Sequence, residues 1–95
     1  MTREITIEME LKKEVESKGG LCFKLPAGLY SGIPDRLIIL PGPDIYFVEL
    51  KRDEKKKLSP RQEYFRNILF TLRARIIIIK GRSDLEKFLK EYVNA

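Results

Sequence analysis

The 95-residue sequence contains no histidine and a single cysteine, and its apolar runs are short; each scarcity excludes a class of protein. Without an imidazole there is no His-based catalytic triad and little prospect of a zinc site. Cys22 cannot form an intrachain disulfide, which suits a reducing cytoplasm, and its apolar surroundings favour a buried thiol over a nucleophile. No stretch resembles a signal peptide or could span a bilayer, so we expect a cytoplasmic protein that contacts no membrane.

Length and charge set broad limits on the remaining possibilities. A chain of 95 residues predicts a single domain over residues 1–95, with a core small enough for oligomerisation to help. The net charge of +5, from 19 Lys and Arg against 14 Asp and Glu, favours a polyanionic partner such as nucleic acid. A solvated basic surface without a partner explains the charge equally well.

The most informative stretch is IPDRLIILPGPDIYFVELKR, residues 33–52, which is typical of a β-hairpin. Two short apolar runs, at residues 37–40 and 45–48, flank a strong turn signal of two prolines, glycine and aspartate. If residues 41–43 form the loop, Leu40 faces Asp44. The same register places Asp35 directly opposite Glu49.

This register brings two carboxylates together near the open end of the hairpin. Directly paired residues share a face of the sheet, and Lys51, two residues beyond Glu49, lies on that face as well. Adjacent carboxylates repel unless a positive charge intervenes, and a divalent cation such as Mg²⁺ prefers oxygen ligands. A strand end in which Lys51 simply neutralises Asp35 and Glu49 is an equally good interpretation of the spacing.

The first predicted helix, Thr2 to Lys18, ends at Gly19-Gly20, where glycine supplies a left-handed cap. Its buried stripe is predicted to consist of Ile7, Leu11 and Val15. Glu4 and Glu8 fall within or beside that stripe, where a carboxylate needs a partner. For an ordinary helix, both side chains would extend from the edge of the stripe into water.

The remaining elements follow from turn and capping signals. We expect a strand at residues 21–25, a loop at 26–32, and a helix that begins at Ser59 with Gln62 completing a capping box. A β-branched run at residues 76–79 predicts a central strand buried on both faces. Ser83 is predicted to cap the last helix in a second capping box. The order α-β-β-β-α-β-α predicts an α/β fold with a mixed sheet flanked by helices.

Side chains on the second helix divide into an apolar face and exposed cations. The apolar face is predicted to comprise Tyr64, Phe65, Ile68, Leu69 and Leu72. The basic residues considered as phosphate contacts, here and elsewhere, are Lys24, Arg36, Lys55, Lys56, Lys57 and Arg61. Lys24 and the lysine run can equally be solvated surface residues.

The order of charges resembles the PD-(D/E)XK nuclease superfamily: Pro34-Asp35, thirteen residues, then Glu49-Leu50-Lys51, after a glutamate in the first helix. Together with Gly19-Gly20, the segments SGIPDRLIILPG, YFVELKR and KLSPRQ resemble the virus-type replication-repair nuclease domain (VRR-NUC) in its compact stand-alone form. The resemblance covers nearly the whole chain and implies a restriction-endonuclease-like fold. Such domains often have glycine before the fourth strand, where this chain has Arg73-Ala74-Arg75.

The resemblance also implies roles for particular residues. Asp35 and Glu49 would be metal ligands, with the main-chain carbonyl of Leu50 as a third. Lys51 would orient or help deprotonate the attacking water and stabilise the charge that develops on the phosphate. Glu8, or Glu4 in its place, would contact the metal or its water. Gln62 resembles the glutamine found beside such sites, so that one residue can serve both as cap and in the site.

The function implied is a Mg²⁺-dependent endonuclease, with Mn²⁺ able to substitute and no organic cofactor. The compact members of the family are expected to act as homodimers on branched DNA such as four-way junctions. Two alternatives remain open from the sequence. One is a flap or end-directed nuclease with the same chemistry; the other is a non-catalytic basic module that binds nucleic acid.

Overall fold

Helices and strands follow one another in the predicted order. In the computed structural model, residues 4–26, 30–42, 44–51 and 57–94 are described. The elements are α1 (Glu4–Ser17), β1 (Leu21–Lys24), β2 (Arg36–Leu40), β3 (Asp44–Lys51), α2 (Pro60–Thr71), β4 (Ile76–Lys80) and α3 (Gly81–Phe88), followed by a π-helical segment, Leu89–Val93. No helix in the described ranges has both the length and the apolar character needed to cross a bilayer.

The four strands form one mixed sheet in the order β1-β2-β3-β4. β1, β2 and β3 are antiparallel neighbours, whereas β4 runs parallel to β3. The predicted hairpin register is confirmed: Leu40 pairs with Asp44, and Arg36 pairs with Val48 at the far end of the ladder. The turn residues and the two apolar runs therefore determine which side chains share a face.

The main core lies between one face of this sheet and the helices α1 and α3. The predicted stripe of α1 is confirmed, since Ile7, Leu11 and Val15 have no exposed surface. On the sheet, alternate residues of β2 and β3 are buried against this stripe, among them Ile38 and Val48. Cys22 belongs to the same core, and burial raises the pKa of its thiol, as expected for a structural cysteine.

The end of α1 shows how the sequence sets the first turn of the fold. Gly19 has φ of +83°, and the amides of Gly19 and Gly20 donate back to Glu16 and Val15, which closes a Schellman cap. A Cβ on Gly20 would lie 2.5 Å from the carbonyl oxygen of Ile39. The second glycine is therefore needed for close packing of the turn against β2, and the first for its left-handed backbone.

The opposite face of the sheet is only partly covered, by α2. All residues of α2 are described and none is buried; in the predicted apolar face, Tyr64 and Leu72 are more than half exposed, whereas Phe65, Ile68 and Leu69 are half-buried. Alternation places Asp35, Glu49 and Lys51 on this second face, away from the main core. The predicted apolar face of α2 is thus only partly covered.

Two sequence predictions about the last third of the chain are wrong. β4 pairs only with β3 among the described strands and is an edge strand, with most of its residues half-buried. A run of β-branched residues indicates that side chains are buried but not where the strand lies in the sheet, so it does not distinguish an edge strand from a central strand. The last helix begins at Gly81, with Lys80 as N-cap, and the Oδ2 atom of Asp84 accepts from the amide of Lys80. Asp84, rather than Ser83, satisfies the helix start.

Candidate active site

Asp35 and Glu49 lie side by side at the open end of the hairpin. Arg36 pairs with Val48, and one further step along the same register brings Asp35 opposite Glu49. The amide of Leu50 donates to Asp35 Oδ1 over 3.2 Å, which fixes the aspartate against β3. The side chain of Glu49 is only 8% exposed. Burial of this carboxylate requires hydrogen bonds or positive charge nearby.

Lys51 and Gln62 supply those partners. The Nε2 atom of Gln62 donates to Glu49 Oε2 over 3.0 Å, and the ammonium of Lys51 donates to Gln62 Oε1 over 2.9 Å. The ammonium lies 3.9 Å from Glu49 Oε2, at the outer limit of an ion pair. Gln62 therefore bridges the lysine and the glutamate and holds them in a fixed relation.

The position of Gln62 follows from the start of α2. Ser59 caps the helix: its hydroxyl accepts from the amide of Gln62, while Gln62 Oε1 accepts from the amide of Ser59, so the predicted capping box is confirmed. The same Oε1 atom also accepts from Lys51. These contacts determine the orientation of the Gln62 amide. If the amide were flipped, its NH₂ group would face the two donors, and its oxygen would face the carboxylate. Gln62 is thus both a cap and a contact in the site.

A cleft of about 500 Å³ opens over these residues. Asp35, Glu49 and Gln62 contribute to its floor, and residues 24–26 and 30–34 form its walls. These wall residues are Lys24, Leu25, Pro26, Tyr30, Ser31, Gly32, Ile33 and Pro34. The paired carboxylates are therefore accessible from solvent through a space large enough for a small-molecule ligand or part of a polymer.

Glu8 is linked to this cluster through Arg36. Its carboxylate binds the guanidinium of Arg36 over 2.6 Å, and Arg36 alternates onto the core face of the sheet, opposite the face that carries Glu49. In the described ranges, no three acidic, cysteine or histidine side chains are close enough together to hold one metal ion. The structure therefore brings Asp35, Glu49, Lys51 and Gln62 together but leaves Glu8 on Arg36. The side chain of Glu4 lies outside the described part of the structure.

Arg36 itself is an internal residue. Its side chain is 3% exposed, and its Nη1 atom lies 3.4 Å from Asp35 Oδ2. This burial argues against the phosphate contact expected of Arg36, because the guanidinium joins Glu8 of α1 to Asp35, the residue before β2. Sequence reasoning missed this pair because its partners are 28 positions apart and on different elements. The signal available was Glu8 beside an apolar stripe, which requires a cation from elsewhere in the fold.

The other basic candidates that the structure describes are all exposed. Lys24 is exposed on the wall of the cleft, and Lys57 and Arg61 are exposed near the start of α2. The guanidinium of Arg61 lies over the rings of Tyr64 and Phe65, at 4.9 and 5.6 Å from their centroids. Lys55 and Lys56 lie outside the described residues. An aromatic group beside the cleft, formed by Tyr30 and Phe65, was also missed, because Tyr30 sits in a loop without a periodic pattern.

The donor set fits a hard divalent cation. Two carboxylates on neighbouring strand ends, with the main chain of Leu50 between Glu49 and Lys51, present oxygen ligands of the kind that Mg²⁺ and Mn²⁺ prefer. No histidine is required for such a site. Glu49 is buried beside an amide donor, which orients its carboxylate.

Comparison with known proteins agrees with this geometry. No family model matches the chain. The chain is 36% identical over 89 residues to a protein of Acyrthosiphon pisum secondary endosymbiont phage 1 named "Putative nuclease p44", covering 94% of each sequence. A solved structure described as a VRR_NUC domain superimposes with a TM-score of 0.86 and 33% identity, covering 97% of this chain and 99% of that one. The chain therefore belongs to the VRR-NUC family of PD-(D/E)XK nucleases.

Proposed function

We propose that this protein is a Mg²⁺-dependent endonuclease that cuts branched DNA, in particular four-way junctions, as a homodimer. One observation carries the chemical part of the proposal. Asp35 and Glu49 share one end of the hairpin, and Lys51 is held beside them by Gln62. A protein that only binds nucleic acid gains nothing from paired carboxylates, because they repel phosphate.

Asp35, Glu49 and the carbonyl of Leu50 would hold the divalent cation. When bound, the cation would supply Lewis-acid polarisation of the phosphate and screen its negative charge. Mn²⁺ has the same ligand preference and should replace Mg²⁺. The chain's own contribution is rigidity: the Leu50 amide fixes Asp35, and the Gln62 amide fixes Glu49.

Lys51 is the residue suited to act on the reacting groups. Its ammonium can hydrogen-bond the attacking water and stabilise negative charge on the phosphate oxygens as the new bond forms. The ammonium lies 2.9 Å from the neutral oxygen of Gln62 and 3.9 Å from Glu49 Oε2. Because an ammonium has three N–H donors, Lys51 can still donate a hydrogen bond to a substrate. Gln62 then acts as a positioning residue for Lys51. Lys24, Lys57 and Arg61 would contact neighbouring phosphates.

The homodimer is supported by apolar side chains left open on the second face of the sheet. Two rows cross its strands next to the site: Leu21, Ile39 and Ile45 form the first, and Phe23, Leu37 and Phe47 the second. Leu21, Phe23 and Ile45 are about half exposed. A contiguous apolar surface of this kind favours a protein partner, and a second copy would place two sites for the two strands of a symmetric junction.

Calorimetry and cleavage together test the proposal. Asp35→Asn should lose most of its Mg²⁺ affinity and its cleavage, whereas Asp44→Asn, which changes a partly exposed carboxylate paired with Arg75 at the hairpin turn, should keep both. Equal metal affinity in wild type and Asp35→Asn would remove the metal site from these residues.

The substrate is tested with labelled four-way junction, flap, duplex and single-stranded DNA. Preferential cutting of the junction supports the proposal. Cutting confined to flaps or ends would identify a flap or end-directed nuclease, and tight binding without products would identify a binding module.

Activity is expected in the cytoplasm of a bacterial or phage-infected cell.

A further inference from the structure

One wall of the active-site cleft presents an aromatic ring. Tyr30 lines the cleft whose floor contains Asp35 and Glu49, and 62% of its surface is exposed. Its ring lies 5.9 Å from that of Phe65 on α2, at an angle of 45°. The contact with Phe65 uses part of the ring, and the remainder faces solvent. Large aromatic side chains left this exposed beside a cleft are candidates for ligand contact.

The loop that carries Tyr30 is held close to α2. Gly32 has φ of +87°, and a Cβ at this position would lie 2.3 Å from the carbonyl oxygen of Arg61. The amide of Ile33 donates to the carbonyl of Tyr30 over 3.2 Å, which closes a tight turn. Only glycine permits both the backbone conformation and this approach. The backbone that carries Tyr30 is therefore held against α2 beside the cleft.

Aromatic and cationic groups continue from Tyr30 along the first turns of α2. Phe65 contacts Tyr64 edge-to-face, with ring centroids 5.7 Å apart, and the guanidinium of Arg61 lies over both rings. The resulting row, defined by Tyr30, Phe65, Tyr64 and Arg61, combines flat apolar surfaces with positive charge. Proteins that bind single-stranded nucleic acid use this combination, since every base has a face that can stack and every linkage carries a negative charge.

From these observations we propose that the cleft binds an unpaired base, stacked on Tyr30, next to the phosphate that is cut. The inference rests on the proposed nuclease function and specifies its substrate: DNA in which at least one nucleotide at the cleavage point has left the duplex. A paired base is not available to the ring, because both of its faces are covered by its neighbours in the stack. Flaps and single strands provide such a nucleotide, and a four-way junction provides one when a base pair opens at the crossover.

A purely structural role for Tyr30, as an anchor of the loop on Phe65, makes a different forecast. An anchor stabilises the fold by apolar contact alone, and leucine would replace most of that contact. A stacking platform needs a flat ring, which phenylalanine retains and leucine lacks. The two roles therefore separate in the pair Tyr30→Phe and Tyr30→Leu.

The test measures binding in EDTA, where no metal-dependent cleavage occurs. Fluorescence anisotropy at low salt follows a labelled single-stranded oligonucleotide and an abasic sugar-phosphate oligomer of the same length. Wild type should prefer the oligonucleotide that carries bases. Tyr30→Leu should weaken binding of that oligonucleotide by about 5- to 150-fold, the equivalent of one stacked base. It should leave abasic binding unchanged, and Tyr30→Phe should stay within about twofold of wild type.

Tyr92→Leu is the matched control, because Tyr92 is a partly exposed tyrosine that contacts Tyr46 near the opposite end of the hairpin. It should not alter either affinity. Equal loss for both oligomers in Tyr30→Leu, or no loss for either, would overturn the proposal. The proposal would also be overturned if wild type bound the oligonucleotide and the abasic oligomer with equal affinity. That result does not depend on the folding of any variant. Because no turnover is measured, failure of the nuclease proposal would be seen separately, in the cleavage assays.

Discussion

Gln62 illustrates how a single side chain serves both the helix and the site. Its oxygen receives the Ser59 amide and the Lys51 ammonium, and its nitrogen binds Glu49. The capping role was evident from the sequence, since Ser-x-x-Gln before an apolar stretch is a local signal. The contact with Glu49 was implied only by the family resemblance, because no local pattern shows which strand lies beside the first turn of α2.

The two roles of Gln62 can be separated by substitution. Ser59→Ala removes the hydroxyl cap and leaves the site contacts, so it should lower the free energy of unfolding by about 1 kcal/mol with cleavage intact. Gln62→Ala should lower stability by a similar amount and reduce the cleavage rate at least about tenfold, because Lys51 and Glu49 lose their bridge. Thermal melting and single-turnover cleavage provide the readouts. Equal cleavage in the two variants would restrict Gln62 to capping.

The ion pair between Glu8 and Arg36 permits a similar separation. Glu8→Gln leaves a buried guanidinium with a weaker partner, which should cost about 2–3 kcal/mol because the exchanged carboxylate is 34% exposed and not fully buried. Adding Arg36→Met should recover a large part of this loss, since replacing both members of a pair avoids an uncompensated charge. Chemical denaturation of both single variants and the double variant measures the coupling. If Glu8→Gln instead keeps its stability but loses Mg²⁺ binding, Glu8 is a metal contact.

At the scale of elements, the end of α2 accounts for the unusual Arg73-Ala74-Arg75. Arg73 has φ of +63°, and the amides of Arg73 and Ala74 donate to Phe70 and Leu69 in a Schellman cap. Glycine is the usual residue at this left-handed position. In this chain an arginine occupies the position and carries the conformational strain of the left-handed backbone.

Arg73→Gly should therefore stabilise the protein by about 1 kcal/mol, the energy released when a side chain leaves the left-handed region. Ala74→Gly is the control: Ala74 is not among the described residues with positive φ, so glycine there should destabilise by about 0.4–1 kcal/mol through the unfolded state. Urea unfolding of the two variants decides the point. No gain from Arg73→Gly would mean that the arginine side chain contributes more than its backbone costs.

The elements also show where sequence reasoning is sufficient. The hairpin register was predictable because turn residues and apolar runs within twenty positions determine it, and it places Asp35 and Glu49 correctly. The edge position of β4 was not, because strand order depends on contacts between distant segments. The start of α3 was misplaced by three residues, because the N-cap is Lys80 rather than Ser83 and the side chain of Asp84 accepts from the Lys80 amide.

For the whole molecule, the distribution of apolar surface predicts how copies associate. One face of the sheet has a closed core, whereas the second is open beside the site, with Ile45 about half exposed in the row next to Ile39. Ile45→Glu should place a charge in the proposed contact between copies and convert a dimer into a monomer. Phe70→Glu, a similar change at a side chain that is 75% exposed on α2, should leave the dimer intact.

Light scattering at micromolar concentration measures this outcome directly. A wild-type monomer, with and without junction DNA, would contradict the homodimer. If Phe70→Glu dissociates the dimer and Ile45→Glu does not, the protein is still a dimer, but its contact surface lies on α2. The open rows of the sheet would then require another partner.

The catalytic role of Lys51 is the central claim, and single-turnover cleavage of a four-way junction at saturating Mg²⁺ tests it most directly. Lys51→Ala should reduce the rate by at least about a hundredfold, because the ammonium acts where charge develops in the transition state. Melting temperature and junction affinity should stay close to wild type, while Lys57→Ala, the control, should weaken affinity in a salt-dependent manner and preserve the rate. Near-normal cleavage by Lys51→Ala, accompanied by a lower melting temperature, would contradict the account and leave Lys51 as a neutralising charge beside Glu49.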